Sequence, residues 1–125
     1  MDNKKKLPEC ELEIMMIIWN CKALPVTSDY IMENINKTWN KTTVLNFLTR
    51  LCERGFLSCE KEGRHNVYMP LVKKSDYRRK ESRNFLKKLY NNSVTKLVAT
   101  LVQSGDISDE ELDELQRFIT EAKDK

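Results

Sequence analysis

Residues 39–70 read WNKTTVLNFLTRLCERGFLSCEKEGRHNVYMP and change period halfway. In the first half Val44, Phe47, Leu48 and Leu51 fall at i, i+3, i+4 and i+7, one apolar face, which predicts a helix over residues 41–54. Gly55 follows, and a glycine just past a last helical turn takes the left-handed conformation without steric cost. In the second half, residues 56–61 and 66–70 predict two short strands. The polar segment Glu62-Gly63-Arg64-His65 between them predicts a hairpin tip.

Upstream, a helix is expected over residues 8–21. Pro8 suits a first helical position, and Glu9, Glu11 and Glu13 suit the positive end of the helix dipole. Leu12, Met15, Met16 and Trp19 form its buried stripe, with Ile14, Ile17 and Ile18 widening it. Residues 22–26 read as a short connection. Thr27 or Ser28 can then cap a second helix, expected to residue 36 and anchored by Ile31 and Ile35. Residues 37–40 read as a polar turn holding Trp39. Three short helices followed by a basic-tipped hairpin give the order of a winged helix-turn-helix, assigned to residues 1–74.

Residues 75–125 predict three more amphipathic helices. Ser75 can cap the first, which carries Phe85, Leu86, Leu89 and Tyr90 and breaks at Asn91-Asn92. The next begins at Ser93 and aligns Val94, Leu97, Val98, Leu101 and Val102, ending at Ser104-Gly105. Ser108 with Glu111 has the spacing of a capping box for the last, lined by Leu112, Leu115, Phe118, Ile119 and Ala122. A core this small is marginal alone. Its apolar stripes need a partner surface, and a second copy of the chain supplies one with two-fold symmetry; the alternative is packing back on the chain's own winged domain. The fold class expected is therefore mainly α with a small β-hairpin: a winged helix-turn-helix plus a C-terminal helical dimerisation arm.

Composition narrows the function. With 125 residues, three glycines, three prolines and 33% charged residues, the chain suits a small helical protein. The longest purely apolar run, residues 14–19, is far too short to span a bilayer, so no membrane insertion and a cytoplasmic location are expected. Net charge is only +3 but unevenly spread. Residues 37–64 hold six basic against three acidic side chains, residues 76–90 six against two, and residues 104–125 three against eight. A basic front suggests a polyanionic partner. Cys10, Cys21, Cys52 and Cys59 show no C-x-x-C spacing, so the four read as small hydrophobes or idle thiols, and a zinc site with His65 is not supported. The one histidine has no nucleophile or carboxylate pair converging on it, and no glycine-rich phosphate loop is present. Neither an enzyme nor a cofactor is expected.

A helix that enters the major groove needs short polar groups near its N-terminus with cations beside them. Lys41, Thr42, Thr43 and Asn46 supply these. Asn46 can bond adenine through two hydrogen bonds, and a threonine methyl can touch a thymine methyl. Arg50, a turn further, is placed for a phosphate, and Arg64 and His65 at the hairpin tip for the neighbouring backbone or minor groove. The competing reading is a winged-helix adaptor that binds protein, since a fold does not fix a function.

Residues 39–51 with Arg54-Gly55-Phe56 resemble the recognition helix of the BlaI/MecI penicillinase-repressor family. Glu13, Met16 and Trp19 resemble its first helix, and Ser75-Asp76, Phe85, Lys88-Leu89-Tyr90 and Leu97-Val98 its dimerisation arm. The resemblance implies a homodimer on a palindromic double-stranded DNA operator upstream of β-lactamase or related resistance genes. It also implies relief when a membrane-bound, β-lactam-sensing protease system triggers cleavage in the fifth helix. The bond cut in staphylococcal members is Asn-Phe, and the matching position here is Thr100-Leu101. Where the family often has Pro-Lys-Thr this chain has Lys41-Thr42-Thr43, and Leu45 and Asn46 replace a basic residue and a threonine, differences that bear on which bases are read. The copper-responsive branch carries C-x-C pairs near its C-terminus, whereas no cysteine follows Cys59 here. A non-β-lactam operon is the alternative target.

Overall fold

The computed structural model describes residues 6–124. In chain order the elements are α1 (Glu9–Trp19), β1 (Val26–Thr27), α2 (Ser28–Asn34), α3 (Lys41–Glu53), β2 (Leu57–Glu62), β3 (His65–Pro70), α4 (Lys74–Tyr90), α5 (Val94–Gln103) and α6 (Asp109–Lys123). The chain divides into two compact units, the first reaching to Arg79 and the second starting at Lys80.

The first unit is a winged helix. Ile14, Met15 and Ile18 of α1, Ile31 of α2, and Val44, Leu48 and Leu51 of α3 are fully buried together with Phe56. The buried stripe of α1 is Glu11, Ile14, Met15 and Ile18, not the expected Leu12, Met15, Met16 and Trp19. Leu12, Ile17 and Trp19 pack against the core from its margin. Both stripes have helical spacing, but the observed one begins with a carboxylate, which a search for apolar period passes over. Pro8 takes the N-cap position rather than the first helical one, with φ −58° and ψ 155°. Its carbonyl accepts from Leu12 N at 2.9 Å.

Thr27, not Ser28, caps α2, its hydroxyl accepting from Tyr30 N at 3.2 Å. That helix stops at Asn34, earlier than expected, because Ile35 turns to extended backbone. Within the expected connection, Val26–Thr27 forms a strand that the sequence reading missed. β1 pairs antiparallel with the end of the hairpin, Val26 with Tyr68 and Thr27 with Val67. The sheet order is β1-β3-β2, and β2 and β3 pair from Leu57↔Pro70 to Glu62↔His65. Two residues remain for the tip. Gly63 has φ +66°, and a positive φ at the first central residue is what a type II′ hairpin turn requires.

Three aromatic rings join the unit's parts. Tyr77, in the first turns of α4, lies 5.6 Å from the Trp19 ring and edge-on to Phe56 at 5.9 Å. Trp19 Nε1 donates to Val72 O at 2.8 Å, and the Tyr77 hydroxyl accepts from Leu7 N at 2.8 Å. These contacts assign the start of α4 to the winged unit.

In the second unit, local stops define the helices. Asn91 and Asn92 adopt φ of 50° and 67°, left-handed values that asparagine tolerates better than most residues. Ser93 caps α5 through Lys96 N, and Gly105, at φ +78°, follows its end. Ser108 and Glu111 form the full capping box of α6. After Tyr77 no described residue of the single chain is buried.

Leu7 N is a buried donor whose acceptor is the Tyr77 hydroxyl. Tyr77→Phe should therefore cost about 1–3 kcal/mol, the penalty for an unmet buried group, as read by urea unfolding. Unchanged stability would mean that the amide finds another acceptor.

Candidate nucleic-acid interface

The N-terminus of α3 is held by its cap: Asn40 Oδ1 accepts from Thr43 N at 2.8 Å. This fixes where the first helical residues emerge. Lys41, Thr42 and Asn46 are exposed and Thr43 is half-buried. Thr42, Asn46, Thr49 and Arg50 follow one another at i, i+4, i+7 and i+8 and share the solvent face. Thr49 turns its hydroxyl back to Leu45 O at 3.0 Å. Leu45, between these polar positions, packs against the core margin. Lys41 does not stand alone, since its Nζ lies 3.1 Å from Asp29 Oδ1 on α2. Both partners are exposed, so the pair steers the lysine more than it stabilises the fold.

Two features of α3 escaped the sequence reading. Phe47 is only partly buried and meets Trp39 in a tilted contact, ring centroids 5.2 Å apart, and the Arg50 guanidinium sits 5.7 Å from the centre of the Phe47 ring. Trp39 thus supports α3 rather than merely filling a polar turn. The second feature is Glu11. It accepts a hydrogen bond from Arg54, the residue that closes α3, at 2.8 Å, and its other oxygen is 4.0 Å from Arg50 Nη1. A signal existed, because Glu11 occupies the first position of the 11/14/15/18 stripe.

At the wing, Arg64 and His65 are exposed, as is the whole outer hairpin from Glu60 to Asn66. In the second unit the expected dimerisation residues divide by exposure. Leu89 is 62% and Phe118 67% exposed, and Phe85 and Ile119 are also open to solvent. Leu86, Tyr90, Leu97, Val98, Leu101, Leu112 and Leu115 are half-buried. Val94 and Val102 extend the exposed apolar set. Thr100-Leu101 lies in the last turn of α5, with the Thr100 hydroxyl donating to Lys96 O at 2.9 Å. Among the described residues no helix is long and apolar enough to cross a membrane.

A winged helix with a polar-faced third helix, followed by a helical unit that leaves large apolar side chains in water, defines the class. The chain belongs to the penicillinase repressor family, whose model matches residues 7–121. It is 33% identical to the penicillinase repressor of Bacillus licheniformis over 97% of both chains. It is 34% identical to the methicillin resistance regulatory protein MecI of Staphylococcus aureus, over 95% of this chain and 98% of that one. The solution structure of the DNA binding domain of the repressor BlaI superposes with a TM-score of 0.50 at 34% identity, covering 58% of this chain and 88% of that domain.

In the last turn of α3, burial pushes the Cys52 thiol up to about 11, helped by the nearby Cys59 and Glu53. An unfolded thiol titrates near 8.5, so folding favours the protonated form. That contribution is whole below about pH 8.5 and is lost as pH rises through about 11. Because the thiolate is the nucleophile, iodoacetamide labelling of Cys52 in the folded protein should reach half its maximal rate near pH 11. Mass spectrometry of the labelled chain across pH gives the test, and a rate that saturates below pH 9 contradicts it.

Proposed function

We propose that this protein is a cytoplasmic, DNA-binding transcriptional repressor of β-lactamase or related resistance genes, acting as a homodimer on a palindromic operator. The observation that carries the reading is the solvent face of α3, where Thr42, Asn46 and Arg50 lie in line behind a capped N-terminus. The relatives bearing the names penicillinase repressor and MecI support the regulatory role and its target genes.

In this mechanism α3 lies in the major groove. Lys41 and Arg50 meet phosphates, while Thr42, Thr43 and Asn46 face base edges. Arg64 and His65 reach the backbone beside the groove. The exposed apolar side chains of the second unit, Phe85, Leu89, Phe118 and Ile119 among them, join Leu86, Tyr90, Leu97, Val98, Leu101, Leu112 and Leu115 in the interface with a second copy. Two linked reading heads bind two half-sites at one effective concentration, and this gain disappears when the dimer is broken. A membrane β-lactam sensor protease system that triggers cleavage at Thr100-Leu101 relieves repression by that route. The bond is helical, so α5 must open locally to be cut.

The primary experiment is binding to the chain's own promoter duplex against a shuffled duplex across a salt series. Selective binding with a steep salt slope is expected, and equal weak binding to both favours the adaptor reading. Asn46→Ala should weaken promoter binding by about 1–3 kcal/mol, the value of one good bidentate base contact, and leave shuffled-duplex binding nearly unchanged. Equal losses on both would remove Asn46 from the base-reading set. In sedimentation the wild-type chain should travel as two copies and Leu89→Asp as one; a Leu89→Asp variant that stays dimeric would place the interface elsewhere.

A further inference from the structure

Glu11 is the buried charged side chain among the described residues, 2% exposed, and each of its oxygens faces an arginine at the C-terminal end of α3. A carboxylate taken out of water needs a counter-charge. Arg54 provides it at 2.8 Å. Arg50 stands at the outer limit of ion pairing, 4.0 Å away, with its side chain 57% exposed. Its guanidinium also lies near the Phe47 ring, which Trp39 backs. Arg50 is therefore steered by a carboxylate and a ring without being consumed by either, and its donor fork keeps room for a phosphate.

We propose that Arg54 is a positioning residue: by occupying Glu11 it leaves Arg50 available to a phosphate of the duplex, and without it Glu11 draws Arg50 inward. The inference rests on α3 being the DNA-facing helix. Arg54 then influences DNA affinity through the carboxylate behind the helix rather than by touching DNA.

The test is binding of the full chain to a duplex of arbitrary sequence across a salt series. Each phosphate contact contributes about 0.9 to the slope of log K against log salt. Arg54→Gln should flatten the slope by about 0.9 per bound chain, as Arg50→Gln does. The double variant E11Q/R54Q should restore the wild-type slope, because a neutral amide no longer holds Arg50. A flattened slope that persists in E11Q/R54Q means that Arg54 itself meets a phosphate, and an unchanged slope in folded R54Q means that Arg50 is not drawn inward. Either result overturns the inference. If R54Q fails to fold by circular dichroism, E11Q compared with E11Q/R54Q decides: equal slopes support the inference and a flatter slope in the double variant overturns it. A wild-type chain that binds no duplex overturns the DNA reading itself, and this inference with it.

Discussion

The winged unit hangs on the joint around Phe56. Gly55, with φ +84°, delivers this residue directly from the end of α3 into the core. Its amide donates to Leu51 O at 2.9 Å and finishes the helix, while its carbonyl accepts from Leu71 N at 2.8 Å and ties down the far end of the hairpin. Its ring meets Tyr77, which in turn meets Trp19 and the Leu7 amide. One residue thus connects α3, the wing, the start of α4 and the chain before α1. The polar face of α3 can be devoted to solvent and ligand because the opposite face and both ends of that helix are fastened elsewhere.

Glu11 plays a different part. A buried ion pair seldom adds net stability over a well-packed apolar pair, because the desolvation cost offsets the attraction. What it adds here is orientation. An apolar side chain at position 11 would fill the space but would give Arg54 no direction. The carboxylate therefore belongs with the surface chemistry of α3, although it is carried by α1 and shielded from solvent.

Much of this was legible in the sequence. The inward face of α3, Gly55 at its end, the hairpin, the Ser93 cap and the Ser108–Glu111 box all follow from local rules that act within one helical turn or one strand pair. The misses were of another kind. β1 has two residues, too few for any period, and exists because β3 offers an edge to Val26 and Thr27. The buried face of α1 was ambiguous between two helical stripes, and only packing against α3 selects the one that contains a charge. Trp39 gave no sign of its contact with the Phe47 ring, since the turn between them sets it. For the candidate interface the sequence supplied the residue types and their spacing, while the environment of Arg50 came from a residue nearly forty positions away.

The wing has a consequence for how such a protein can change. From Glu60 to Asn66 every side chain of the hairpin's outer half is exposed, whereas Leu57, Val67 and Tyr68 at its base are buried. At Gly63 a side chain would meet no atom within 4 Å, so backbone conformation, not space, keeps that position a glycine. Lys61, Glu62, Arg64 and His65 can therefore be exchanged without reaching the core. The tip is a part whose charge and shape are open to variation at almost no cost in stability, while the turn that carries them is held by the geometry of a single residue.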